Sequence, residues 1–194
     1  MKKMLFAATM VALASTSTMA QTKTFDYNVD RFADIQVLRY EVPGFEQLSL
    51  SQKKLVYYLT EAALQGRDIL TDRDGKYNLQ VRKTLEVIYT TYKGNKKSAN
   101  FKALEKYLKQ VWFANGIHHH YSKDKFTPEF SQKFFNQRLK AIPKSKLPLM
   151  KGQTKSSFIK IMNKVIFDKN FLAKGVNLAA GQDLITTSAN NLYE

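Results

Sequence analysis

Apolar residues recur at helical spacing in five stretches of this chain, and the polar punctuation between them predicts where each helix starts and stops. The first opens on Ser49-Leu-Ser-Gln52, a capping box, and runs to about Gln65 with Leu55, Tyr58, Leu59, Ala62 and Ala63 as its stripe. Gly66 is expected in the left-handed position that ends it. A second helix over residues 78–93 carries Val81, Leu85, Ile88 and Tyr92 and stops at Gly94. A third, over 100–114, carries Phe101, Leu104, Leu108, Val111 and Trp112, with Gly116 as its stop. Thr127-Pro-Glu129 reads as a helix start, with threonine as cap and proline at the first helical position, leading Phe130, Phe134, Phe135 and Leu139 to Ala141. The fifth, over 154–167, buries Phe158, Ile161, Met162, Val165 and Ile166.

Other stretches break that period. Residues 21–33 are polar and aperiodic, while 34–42 read as a strand whose apolar face switches between Val37 and Leu38, with Ile35 and Val37 on one side and Leu38, Tyr40 and Val42 on the other, as in a strand with a bulge or one buried on both sides. Arg67 to Lys76 reads as a polar loop. Its Asp72, Asp74 and Gly75 match too little of a calcium loop to bind the ion. Two prolines make 142–150 a connecting arm, and beyond Asp168 the pattern becomes irregular. Nothing separates two domains, so the expected fold is mainly α with a minor β element. The closing Leu192-Tyr193-Glu194 carries no stop signal, as expected of a chain that continues elsewhere.

The first twenty residues change the picture of destination. Lys2 and Lys3, the apolar run Leu5 to Leu13 and the small-x-small site Thr18-Met19-Ala20 predict a secretory signal peptide over 1–20. The run is too short to span a bilayer, so an exported, periplasmic or secreted protein is expected, with no stable membrane insertion after cleavage. Losing Lys2 and Lys3 lowers the formal charge from +15 to +13. The chain has no cysteine, so packing alone holds it. Lysine far outnumbers arginine and is spread through every helix, a pattern of solvated faces rather than a nucleic-acid site.

Candidate chemistry centres on Trp112 to Phe130, which holds the only tryptophan and the only three histidines. His118, His119 and His120 are consecutive; in extended chain the first and third share a face. That spacing does not make a closed metal site, and no serine elbow, glycine-rich phosphate loop or cysteine nucleophile occurs.

Several segments together resemble the N-terminal part of the dipeptidyl peptidase III family, in particular its Bacteroides-type exported members. They are Phe32 to Phe45, Gln52 to Ile69, Gly75 to Asn78, Val111-Trp-Phe-Ala-Asn-Gly-Ile-His-His-His-Tyr121 and Leu184 to Tyr193, in the family's order. The resemblance implies a zinc-dependent exopeptidase that releases dipeptides from the N-terminus of oligopeptides, built as a two-lobed α+β metallopeptidase. Residues 21–194 would be the helical N-terminal portion of its catalytic domain. The family's zinc helix begins with His-Glu, and no His-Glu pair occurs in this sequence. Catalytic residues and metal ligands are therefore expected in a missing C-terminal portion, and this chain alone is expected to be inactive. Aligning the family's cleft-lining loop on Lys125 to Pro128 places Tyr121 and His118 at the cleft, and His119 and His120 beside them. The alternative from composition alone is a non-enzymatic exported helical module that binds peptide or polyanion.

Overall fold

The computed structural model describes residues 25–189. The predicted signal peptide and the final Leu192-Tyr193 pair lie outside the described residues. Two short strands, β1 (Asn28–Phe32) and β2 (Ile35–Leu38), form an antiparallel hairpin. Helices follow as α1 (Leu50–Gln65), α2 (Arg67–Arg73), α3 (Asn78–Thr91), α4 (Ala99–Ala114), α5 (Gln132–Ala141), α6 (Lys155–Phe167) and the single turn α7 (Leu184–Thr187). The fold is mainly helical, as the periodicity predicts.

The core is built by four of these helices. Val81, Leu85 and Ile88 of α3 meet Leu104, Leu108 and Val111 of α4, and Phe135 and Leu139 of α5 close on Phe158, Met162 and Val165 of α6. Phe126 and Phe130 enter from the histidine loop, their rings at right-angle edge contact with the fully buried Tyr107. Ile142 and Leu147 enter from the proline-bearing arm, which follows the core while keeping its lysines outside.

Four predicted boundaries shift, each for a tertiary reason. The aperiodic residues before Ala33 supply β1, so the single strand expected over 34–42 is half of a hairpin that ends at Leu38. The irregularity lies in β1, where Val29 is the extra residue between the Asn28 and Asp30 pairings. Gly66 is right-handed, with φ −71°, and α2 follows it directly in place of a loop. What organises α2 is Arg82 of α3, whose guanidinium donates to Thr71 Oγ1 at 3.0 Å and contacts the Asp68 carboxylate. Two of the polar residues that made this stretch resemble a loop, Asp68 and Thr71, face Arg82.

Asn115, not Gly116, takes the left-handed position after α4, with φ 55°. Gly116 serves closeness instead. Any Cβ there would collide with the buried Asn78, whose Oδ1 accepts from the Ile117 N–H at 3.3 Å. Thr127-Pro128-Glu129 is extended rather than helical. Phe126 N–H donates to the Ile117 carbonyl at 2.8 Å, Glu129 pairs with Lys106 of α4 at 2.6 Å, and Ser131 caps α5 instead.

The largest departure concerns α1. Ser49 and Gln52 form the expected capping box, yet no residue of this helix is buried. Leu55, Tyr58 and Leu59, the expected core stripe, are all more than half exposed.

Candidate functional site

The histidine loop is a narrow hairpin. Ile117 pairs with Phe126, His118 bridges to Lys125, and the His119 N–H donates to the Asp124 carbonyl at 2.8 Å. Lys123 makes the reversal in a left-handed conformation, with φ 58°. A third piece of chain joins the other edge: Lys125 donates to Ala173 O, Gly175 donates to Lys123 O, and Asp124 bridges to Lys174. The stretch beyond Asp168, irregular by sequence, is thus ordered by pairing with this loop. The Lys125 ammonium adds bonds to the carbonyls of Asp168 and Phe171 at 2.7 and 2.8 Å.

The three imidazoles have three different environments. His118 is only 7% exposed, its ring lies against Gly175, and its Nε2 is 2.7 Å from the Leu172 carbonyl. A carbonyl only accepts, so Nε2 carries the proton. Burial pushes the His118 pKa below its ordinary value, so the ring is neutral at pH 7.

His119 faces the hairpin turn between β1 and β2. Its Nδ1 accepts from the backbone N–H groups of Tyr121 and Ser122, which leaves the proton on Nε2, 3.0 Å from Asp34 Oδ2. That bond holds the Asp34 carboxyl below the usual carboxylate range. His120 stacks at 4.3 Å on both His119 and Tyr121 and meets the edge of Phe113 at 5.0 Å. Desolvation, followed by the neighbouring His119, lowers its pKa, and its Nδ1 is buried without a partner. Tyr121 ends the ladder, 84% exposed.

So the structure brings His119, His120 and Tyr121 into one aromatic ladder and sets His118 beneath them as a support. His120 meets Phe113, and Phe113 and Trp112 line a cleft of about 820 Å³ between the hairpin, the α1–α2 corner and α4. Val29, Phe32 and Val37 form one wall, and Leu64 and Leu70 form the other. Trp112, expected in the core, is 44% exposed here because its indole N–H donates to Glu86 Oε1 at 2.8 Å across the helix pair.

Polar groups of the cleft are mutually paired. Asp30 contacts Lys109 at 2.7 Å, which lowers the Asp30 pKa and raises that of Lys109. Asp68 holds Lys83 at 2.6 Å as well as Arg82, and Arg82 Nε lies 3.4 Å from Glu86. Each of these carboxylates, Asp30, Asp68 and Glu86, already faces a cation.

No family model matches the chain, and no curated protein sequence does.

Both nitrogens of His119 are engaged by protein groups, and His118 is tied through Nε2 to the Leu172 carbonyl. No cluster of three or more His, Asp or Glu placed to share a metal occurs among the described residues. Sequence reasoning found the loop through its concentration of aromatic residues. It missed Asp34, Glu86, Arg82 and the hairpin wall, which lie 26 or more residues away in the chain and carry no motif.

Proposed function

We propose that this chain is the N-terminal part of an exported zinc-dependent dipeptidyl peptidase, and that it contributes a peptide-binding wall while the metal and the acid/base glutamate lie in sequence outside it. The observation that carries the reading is the ordered set of segments resembling the dipeptidyl peptidase III family, from Phe32 to Tyr193. Two features of the fold agree with it. Trp112 and Phe113 line a cleft of about 820 Å³, with His120 against the edge of Phe113 and Tyr121 beside His120, and α1 exposes an apolar face of the kind a further lobe would cover. Tyr121, the most exposed of these rings, would lie against the peptide, with His119 and His120 holding it in place and His118 fixing the loop from below.

The test is a calorimetric titration of the full chain with a tetrapeptide, followed by mass spectrometry of the peptide with and without added zinc. Saturable binding weakened several-fold by Tyr121→Ala, with the peptide left intact, is the expected result. Chelator-sensitive release of dipeptide would overturn the placement of the chemistry outside the chain. Absence of saturable binding would overturn the assignment of the cleft.

A further inference from the structure

Positive charge in this protein is less evenly distributed than the scatter of lysines suggests. Residues 87–104 contain four lysines and no Asp or Glu, and residues 130–167 contain nine Lys or Arg and no Asp or Glu. The fold brings these two acid-free stretches together, because the end of α3 lies beside the end of α5. Between them is a cavity of about 300 Å³ whose charged lining residues are Lys93, Arg138 and Lys146. Apolar walls come from Ile88, Tyr92 and Ile142.

We propose that this cavity binds a phosphate-class oxyanion carried on a small organic group, with Arg138 as its anchor and Lys93 and Lys146 as flanking cations.

Several features single it out. Several cations elsewhere are engaged: Lys83, Lys106, Lys109 and Lys174 face carboxylates, and Lys125 and Lys155 each donate to two backbone carbonyls. Arg138, Lys93 and Lys146 make no ion pair among the described residues. The Arg138 guanidinium lies over the rings of Tyr92 and Phe134, at 5.5 and 5.7 Å, which fixes its plane without using its charge. Its Nε is buried and has no hydrogen-bond partner.

The ring that shelves Arg138 is itself held in place. Tyr92 stacks on Phe101 at 4.7 Å, and its hydroxyl crosses Gly94 so closely that only glycine leaves room for it. The C-termini of α3 and α5 also point this way. Each brings about half a negative charge, which against three cations leaves about two positive charges in excess. A planar guanidinium supplies parallel donors to two oxygens of one phosphate, and the lysines act as point charges beside it. The apolar walls favour an organic phosphate over the bare ion.

The test uses the full chain at low ionic strength, titrated calorimetrically with phenyl phosphate, with inorganic phosphate, and with phosphatidic acid vesicles. Saturable one-site binding of phenyl phosphate, weakened at least tenfold by Arg138→Gln and unaffected by Lys160→Gln on the same acid-free side, is expected. Arg138→Lys, which keeps the charge but loses the fork, is expected to recover part of the affinity, and thermal melts of all variants check folding. Tighter binding of phenyl phosphate than of inorganic phosphate identifies the organic ester as the preferred source. Equal weakening by Arg138→Gln and Lys160→Gln would overturn the site in favour of diffuse charge. Binding to vesicles without binding to phenyl phosphate would overturn it in favour of a membrane surface.

Discussion

Three consecutive histidines invite a metal, yet their three environments are unlike one another. An imidazole that is to hold a cation must offer a lone pair outward, and here the available lone pair of His119 is taken by two backbone N–H groups. His118 has the opposite task, a buried donor that ties the loop to Leu172. That role has a pH signature. Burial disfavours the imidazolium, so the folded-state pKa lies below the ordinary 6.5, and the unfolded chain takes up the proton first. The stabilisation is complete above about pH 6.5 and is lost as pH falls from there toward the folded-state value. His120 shifts in the same direction, so a single substitution is needed to separate the two. Denaturant titrations at pH 7.5 and 5.5 should show the wild-type chain losing more stability than His118→Gln, which retains a donor toward Leu172. Equal losses would mean that His118 is not the group responsible.

Elements in this protein are set by periodicity where a helix has a partner and by single polar side chains where it has none. The stripes of α3 to α6 are legible in sequence because α3 packs on α4 and α5 on α6, apolar face to apolar face. The same spacing in α1 forecasts a buried face that does not exist among the described residues. Periodicity reports that a face is apolar, not what covers it. In α2 the reverse holds: a polar stretch is helical because Arg82, distant in sequence and without a motif, collects its hydroxyl and carboxylate. Thr127-Pro-Glu129 carries every local sign of a helix start and is overruled by pairing across the loop. These contrasts fix the expected cost of substitution. Leu85→Ala, which empties a fully buried site between α3 and α4, should cost about 2–5 kcal/mol in chemical denaturation. Leu59→Lys on α1 should change stability by less than about 0.5 kcal/mol while reducing binding of a hydrophobic dye. A large loss from Leu59→Lys would show that α1 is covered in solution.

At the scale of the whole molecule, the chain divides into a body and an appendage. Helices α3 to α6, with the histidine loop threaded among them, share one continuous apolar cluster, so their hydrogen bonds should open together. The hairpin is fastened to that body by Asp30 to Lys109 and Asp34 to His119, and α2 by Arg82. By contrast, α1 is joined through α2 and buries none of its own residues, so among the described residues its backbone rests mainly on its capping box, the Lys53 bond to the Glu46 carbonyl and its intrinsic helical preference. A sixteen-residue helix supported mainly by itself is marginal in water. Hydrogen exchange followed by mass spectrometry should therefore find amides of residues 50–65 exchanging orders of magnitude faster than those of 78–91 and 99–114, which wait for global unfolding. The same gradient bears on function, because Leu64 of α1 and Leu70 of α2 form one wall of the cleft beside Trp112 and Phe113. A wall that opens locally lets the cleft widen for a ligand without disturbing the core, and tetrapeptide binding should slow exchange in 50–70 while leaving α3 and α4 unchanged. Protection of 50–65 equal to that of α3 in the free chain would contradict this division and require that α1 be buried against a surface of its own.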